Sequence, residues 1–336
     1  MNDTRRQVLE SLEEGPIPGP TLADRLDVSR AAVWKQIEAL RDSGFAIEGT
    51  PNGYVLAGVS GYDAATIEYE LDAPLTVEYH DSIGSTNDRA RELARNGAED
   101  VVVVADEQTG GRGRLDREWV APAGGVWLSV VCRPSVPPAR ASLYTLAASV
   151  ATANAAREAG VDTRIKWPND VVVPLDSPVG TNESSTPVGT YHTPPEKAFH
   201  KLAGILTEMT GETDGVEWLI VGIGVNANID SAVLPEEATS LQAEVGDVER
   251  RTFVARLLEE FDRLRGDLAS VVPEWRALGM TIGQQVRVTR PDGAVVGEAV
   301  DLTETGALVV ETTDGRVTIS SGDCEHLRPV DDGHRP

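Results

Sequence analysis

Hydrophobic spacing changes character twice along this chain, near residue 60 and again near residue 280, so no single sheet or bundle can absorb all of it. Residues 1–57 carry helical spacing that ends in a short alternating hairpin. Residues 60–275 interleave helical and strand patterns, and residues 280–330 hold only short alternating runs cut by turns. At 336 residues the chain also exceeds one ordinary core. The spacing therefore predicts an α+β protein of three units: 1–58, 64–275 and 280–330.

In the first unit, Thr21-Leu-Ala-Asp24 has the form of a capping box opening a short helix that runs through Leu26. Asp27 and Val28 make a turn, and Ser29 can cap a second helix on whose one face fall Ala32 or Val33, Ile37 and Leu40. Arg30, Trp34, Lys35 and Arg41 take the remaining positions. Residues 45–48 and 54–56 then alternate around Thr50-Pro-Asn-Gly53 as a hairpin. Helix, turn, helix and hairpin in this order predict a winged helix-turn-helix that binds DNA. Ser29, Arg30 and Lys35 are its candidate contacts to phosphates and base edges, with Arg41 a further cation. A small helical domain with no DNA role has the same local pattern.

In the second unit the patterns predict strands at 101–105, 126–132, 171–173, 202–208 and 219–226, and helices at 87–95, 143–159 and 252–269. Strands at 285–289, 295–302, 308–311 and 317–320 predict a small all-β barrel at the end. Residues 174–198 are rich in Pro, Ser, Thr and Gly, too poor in apolar side chains to build a core. They predict a disordered insertion in a hairpin.

Charge narrows the setting. The formal net charge is -24, with 30 basic residues against 54 acidic ones. All but four of the basic residues are Arg; the lysines are Lys35, Lys166, Lys197 and Lys201. A dense carboxylate surface either repels acidic partners or answers a salt-rich, halophilic cytoplasm; the scarcity of lysine favours the second, where a Debye length of ~3 Å at 1 M screens repulsion from DNA. A chain that has shed its lysines keeps those with a role. Cys132 and Cys324 have neither metal-ligand spacing nor a disulfide framework, so no metal site is expected in the fold. No apolar run approaches the ~20 residues that cross a bilayer, and the first residues lack a signal-peptide pattern. The expected location is cytoplasmic, with no membrane partner.

Five short segments carry chemistry. In Gln108-Thr-Gly-Gly-Arg-Gly-Arg114, Gly110, Gly111 and Gly113 let backbone amides turn toward an anion, and Arg112 and Arg114 add permanently charged forks. Flexible or RNA-contacting loops share this composition. Ser85-Thr86-Asn87 precedes a helix, placing hydroxyls and an amide at its start. Lys166-Trp-Pro-Asn-Asp170 sets a cation and polar side chains at a strand entrance. Lys201-Leu-Ala-Gly-Ile-Leu puts a lysine at the head of an apolar strand. Gly222 and Gly224 in Val221-Gly-Ile-Gly-Val-Asn226 weaken a strand, which suggests close approach by a ligand.

These five segments, in this order, resemble the biotin–protein ligase family, and the added first unit resembles its bifunctional members, the biotin operon repressors. The resemblance spans essentially the whole chain. Two departures stand out: the loop continues as Leu115-Asp116-Arg117, acidic where a more basic run is usual, and the 174–198 insertion is long. The resemblance implies a winged helix, a class II synthetase-like mixed-sheet ligase domain and an SH3-like barrel. It implies biotin and MgATP as substrates, biotinyl-adenylate as intermediate, and a lysine of a biotin carboxyl carrier domain as acceptor.

By the same resemblance, Ser85, Thr86, Asn87, Gln108, Arg112, Gly113, Arg114 and Lys201 bind biotin, and Arg112, Arg114 and Lys201 are catalytic. Arg114, Lys166, Asn169 and Asn226 lie on the nucleotide side. The family's repressors dimerise when ligand is bound, so a ligand-induced homodimer on operator DNA is expected. Three alternatives stay open: a ligase whose winged helix represses nothing, a biotin sensor without catalysis, and a lipoate ligase, against which the Gly-Arg loop and the barrel speak.

Overall fold

The structure is a computed structural model that describes residues 3–175, 191–192, 199–212 and 215–329. Residues 176–190 and 193–198, most of the expected insertion, lie outside the described residues.

The first unit comprises α1 (Asp3–Glu13), α2 (Gly19–Arg25), α3 (Arg30–Asp42), β1 (Phe45–Thr50) and β2 (Gly53–Val59). Its core is small: Leu9, Leu12, Leu22, Val33, Ile37, Leu40 and Phe45 are buried together. Ser29 caps α3, its hydroxyl accepting from the Ala32 amide at 3.1 Å. The expected capping box at Thr21 is not formed. Helix α2 starts three residues earlier, at Gly19, entered through Pro18 with Pro20 in its first turn and no side-chain cap. Proline in a first helical turn gives up an amide that has no intrahelical partner anyway, so it can start a helix without a cap.

The central unit contains α4 (Ala64–Glu70), β3 (Thr76–Ile83), α5 (Thr86–Arg95), β4 (Val101–Gln108), β5 (Val126–Cys132), α6 (Ser142–Glu158), β6 (Arg164–Lys166), β7 (Asp170–Pro174), β8 (Tyr191–His192), β9 (Phe199–Glu212), β10 (Gly215–Val225), α7 (Leu241–Val245), α8 (Arg250–Gly266) and α9 (Leu268–Leu278). Seven strands form one sheet in the order β3-β4-β5-β10-β9-β7-β6, parallel only between β3 and β4. The helix expected over 252–269 ends at Gly266, and Asp267 caps α9 as a separate element.

Strand alternation sorts side chains onto two faces. On one face Val102, Val104, Leu128, Val130, Leu219 and Val221 pack into the main core with α6, α8 and α9. On the other, Val103, Val131, Trp218 and Ile220 pack under Ala90 and Ala94 of α5. Farther along that second face small residues interrupt the large ones. Ser129, Gly222 and Leu206 stand opposite one another on adjacent strands, followed by Trp127, Gly224, Gly204 and Asp170 in the next row. The glycines and the serine leave room there for side chains from other elements.

The last unit comprises β11 (Gln285–Arg290), β12 (Gly293–Leu302), β13 (Leu308–Thr312), β14 (Gly315–Ile319), β15 (Asp323–His326) and β16 (Arg328–Pro329). The first five form an antiparallel sheet in the order β14-β13-β12-β11-β15, while β16 pairs with β8.

Candidate functional site

Above these rows of the sheet lies a cavity of about 310 Å³. The start of α5 supplies one wall. The Thr86 amide and hydroxyl both donate to Gln108 Oε1, at 2.8 and 3.0 Å, which spends the Gln108 carbonyl and leaves its amide group to face the cavity. Ser129 Oγ lies 2.8 Å from Thr86 Oγ1 and 2.6 Å from Asn87 Oδ1. Asn87 also donates to Glu208 Oε1 at 3.1 Å. These buried polar groups form one connected set, and such sets hold side chains in fixed orientations.

Gly222 exists to make room for Asn87: a Cβ there would stand 2.2 Å from Asn87 Oδ1. A Cβ at Gly224 would stand 3.1 Å from the Trp119 indole nitrogen. The expectation that a ligand approaches these two glycines closely is thus corrected. The protein's own side chains fill that space, although both glycines still line the cavity.

The opposite end is cationic. Lys201 reaches the site through a β-bulge: Val171 pairs with Ala203 but Val172 pairs with Lys201, so β9 holds one extra residue there. The extra residue resets the alternation and turns Lys201 to the same face as Gly204, a use bulges often serve near sites. A Cβ at Gly204 would lie 3.3 Å from Lys201 Nζ. Lys201 pairs with Asp170 at 2.6 Å and sits 5.0 Å from the Trp119 ring centroid.

The Gly-Arg loop folds over this end as a hairpin tied down by Gly110 N to Gly84 O, Trp119 N to Gly111 O and Gly113 N to Arg117 O. At its tip, 72% exposed Leu115 has φ of 57°, a left-handed backbone uncommon for a bulky side chain. Arg112 pairs with Asp88 at the start of α5. Arg114 donates to Asn169 Oδ1 at 3.0 Å and to the Gly322 carbonyl at 2.8 Å, while Arg117 pairs with Asp323. The loop therefore rests on the C-terminal sheet. Burial pulls the Arg114 guanidinium down from its usual range, and the charges of Asp170 and Asp323 push back.

The cavity brings together Ser85, Thr86, Asn87, Gln108, Arg112, Gly113, Arg114, Asn169, Lys201 and Asn226. Ser85 acts as the cap of α5, and Asn226 donates to the Thr239 carbonyl at 3.0 Å. Lys166 does not line the cavity. Its amine lies 5.7 Å from the Phe199 ring, toward the C-terminal sheet, because β6 and β7 turn at Trp167 and Pro168 and set it beyond the hairpin.

Sequence reasoning missed Trp119, whose buried indole N–H has no partner among the described residues, and Asp170, the partner of Lys201. It also missed Ser129, although a single hydroxyl in the otherwise apolar strand Val126–Cys132 was a signal. On α3, Arg30 and Lys35 are exposed and Trp34 is 58% exposed between them. Arg41 is corrected as a DNA contact: it donates to the Ile47 carbonyl through two nitrogens and pairs with Glu38. No helix among the described residues is long and apolar enough to cross a membrane, and no cluster of three or more His, Cys, Asp or Glu suits a metal ion.

Comparison with known proteins gives three family matches: the biotin/lipoate A/B protein ligase family over residues 79–226, the biotin protein ligase C-terminal domain over 281–327, and a helix-turn-helix domain over 4–55. The chain is 35% identical to the bifunctional ligase/repressor BirA of Bacillus subtilis, over 92% of this chain and 93% of that one. It is 32% identical to a biotin--[acetyl-CoA-carboxylase] ligase of Mycobacterium tuberculosis, over 73% and 86%. Among solved structures it matches the biotin protein ligase of Aquifex aeolicus in complex with biotin and ATP, with a TM-score of 0.56 and 25% identity, over 75% of this chain and 98% of that one.

Proposed function

The chain belongs to the biotin protein ligase family, in the form that carries an N-terminal helix-turn-helix, and from that footing we propose that it joins biotin to a carrier protein at the expense of ATP. The observation that carries this reading is the cavity's polarity: fixed amide and hydroxyl groups along the α5 wall, where Arg112 pairs with Asp88, Lys201 and Arg114 away from that wall, and apolar Leu128, Leu206 and Trp119 also in the lining. A small apolar body with a hydrogen-bonding ring at one end and a carboxylate at the other fits that lining.

In the proposed reaction, a biotin carboxylate oxygen attacks the α-phosphorus of ATP, the bond to the β-phosphate oxygen breaks, and pyrophosphate leaves with the electron pair. Two anions must meet. Lys201 receives the carboxylate by exchanging Asp170 for it, and Arg112 and Arg114 neutralise charge as it grows on the phosphate. Gln108 and Trp119 have unspent donors for the ligand. Asn169 and Asn226 stand on the nucleotide side, and Mg²⁺ enters with the phosphates of ATP as part of the substrate. A lysine amine of a biotin carboxyl carrier domain then attacks the acyl carbon and AMP leaves. The hairpin loop, closed over the mixed anhydride, shields it from water.

The winged helix supports a second activity, biotin-responsive repression, through the exposed Arg30 and Lys35 on α3 and the capping Ser29. We place the operator complex as a ligand-induced homodimer, in the cytoplasm and at high salt. Incubation with MgATP, labelled biotin and an acceptor domain at low and high salt tests the ligase reading. Absence of label on the acceptor at both salts refutes it.

A further inference from the structure

Trp34 is 58% exposed on α3, while the other five tryptophans of the chain are buried or half-buried. It is no part of the core of the first unit, which takes Val33, Ile37 and Leu40 from the inner side of the same helix. Arg30, Ala31, Trp34 and Lys35 are all exposed, and spacings of three and four residues put them on one face in the first half of α3. Neither Arg30 nor Lys35 has an ion-pair partner among the described residues. In the second half of the helix the charge reverses: Glu38 is held by Arg41, and Asp42 is exposed. The hairpin of β1 and β2 adds no cation, since Glu48 is the only charged residue from Phe45 to Val59. The face thus offers a bulky apolar side chain framed by two uncommitted cations.

We propose that Trp34 reads sequence: with the first half of α3 in the major groove of an operator, its indole packs on the C5 methyl group of a thymine while Arg30 and Lys35 hold the flanking phosphates. The proposal rests on the repressor reading and deepens it, naming a base contact that charge alone does not supply. Two free cations on one face call for a polyanion, and recognition helices bring their N-terminal residues to the base edges. The thymine methyl is the apolar feature of the major groove, so it is what an indole can cover there. Salt sharpens the choice. Each phosphate contact releases counterions and weakens binding as salt rises, by roughly 0.9 in log K per log unit of salt, whereas an apolar contact releases none. In a domain with few free cations, the indole is the contact that high salt leaves standing.

Full-length protein with biotin and MgATP selects duplexes from a randomised pool, and the enriched duplex and a scrambled duplex of the same composition serve as probes. Trp34→Ala should bind the enriched duplex about tenfold more weakly and the scrambled one within twofold of the parent. Deoxyuridine, placed at each thymine of the enriched duplex in turn, removes only the methyl group. At one position or more this should cost the parent about fourfold, the worth of one buried methyl group, and cost Trp34→Ala nothing. Trp34→Phe, which keeps an apolar ring, should recover most of the loss. The Trp34→Ala penalty should stay constant between about 0.2 and 1 M KCl, whereas Arg30→Ala should reduce the salt slope by about one. Because the side chain is exposed, Trp34→Ala should keep the parent's thermal midpoint and its rate of biotinylation. An unchanged affinity for the enriched duplex overturns the proposal, as do equal losses on both duplexes or a methyl penalty that survives in Trp34→Ala. If the parent enriches no sequence at all, the repressor reading fails instead, and the two failures are distinct.

Discussion

Gly222→Ala tests how the floor of the site is built. The added Cβ would stand 2.2 Å from Asn87 Oδ1 and 3.0 Å from Asn87 Cγ, so the Asn87 side chain must leave its place. It then loses the 2.6 Å contact with Ser129 and the 3.1 Å bond to Glu208. A neutral hydrogen bond contributes about 1 kcal/mol and one to a charged group about 1.5–3 kcal/mol. Alanine recovers roughly 0.5–1 kcal/mol over glycine within a strand. The net expectation is a loss of about 2 kcal/mol in unfolding free energy.

Biotin binding should weaken about tenfold, one neutral hydrogen bond's worth at about 1.4 kcal/mol per decade. Urea unfolding and calorimetric titration with biotin alone measure the two effects. The decisive arm is the cycle with Asn87→Ala. If Gly222 serves only to admit Asn87, adding Gly222→Ala to Asn87→Ala should cost nothing further in either measurement. A full tenfold further loss of biotin affinity in that background would mean that the methyl blocks the ligand itself, and the account of the floor would be wrong.

Arg114→Gly removes a charge-assisted contact of roughly 1.5–3 kcal/mol, so biotinyl-adenylate should escape about ten- to hundredfold faster and label a lysine-rich bystander such as serum albumin; an adenylate held as tightly as in the parent would contradict the role of this arginine. Arg30→Ala with Lys35→Ala should abolish DNA retardation, whereas Arg41→Ala should leave the DNA contacts of the exposed α3 face in place because Arg41 is spent on Ile47 and Glu38; loss from Arg41→Ala alone, in folded protein, would reverse the correction. Burial, with the charge of Lys166, pulls His326 down from 6.5 to about 4. The unfolded chain therefore takes up the proton first: the contribution is complete above pH 6.5 and is lost as pH falls toward 4, about 2 kcal/mol by pH 5. His326→Gln should flatten that limb of the urea-unfolding profile, and an unchanged pH 7 to pH 5 difference would refute it. At a net charge of -24 the thermal midpoint should climb between 0.1 and 2 M KCl, as the Debye length shrinks from ~10 Å to below ~3 Å; a midpoint that falls over that range would count against salt adaptation.

Much of the architecture was legible because it rests on periodicities that survive in the linear order. Val126–Cys132 was bounded to the residue, since seven apolar-to-small positions in a row admit little else within this length. Strand β3 and helix α4 went unread: β3 is an edge strand whose burial alternates weakly, with Glu78, His80 and Asp81 along it, and charges are what an edge requires. Helix α9 carries Pro273 in its interior, which argues against a helix on local grounds and is outweighed by the burial of Val271, Val272 and Trp275. The cap at Thr21 failed for the reverse reason. The local rule was sound, but Pro18 and Pro20 offered an earlier start.

In the site, the motifs were picked out by residue type and order and their roles came from the family resemblance; what escaped was the way the side chains are aimed. Nothing in Lys201-Leu-Ala-Gly204 announces that β9 takes an extra residue against β7; strict alternation from Gly204 would send Lys201 to the main-core face instead. The bulge depends on a partner strand some thirty positions earlier, joined across the 174–198 insertion, so it belongs to tertiary pairing and not to any local window. The same holds for the glycines. Read alone, Gly222 and Gly224 suggest close approach by a ligand; only the fold shows that Asn87 and Trp119 are what stands against them. A site made by subtraction, with small residues in register across three strands, is therefore visible in sequence as a set of gaps. What fills each gap is decided by register, and one shifted pair is enough to turn the only cation of β9 into the cavity or away from it.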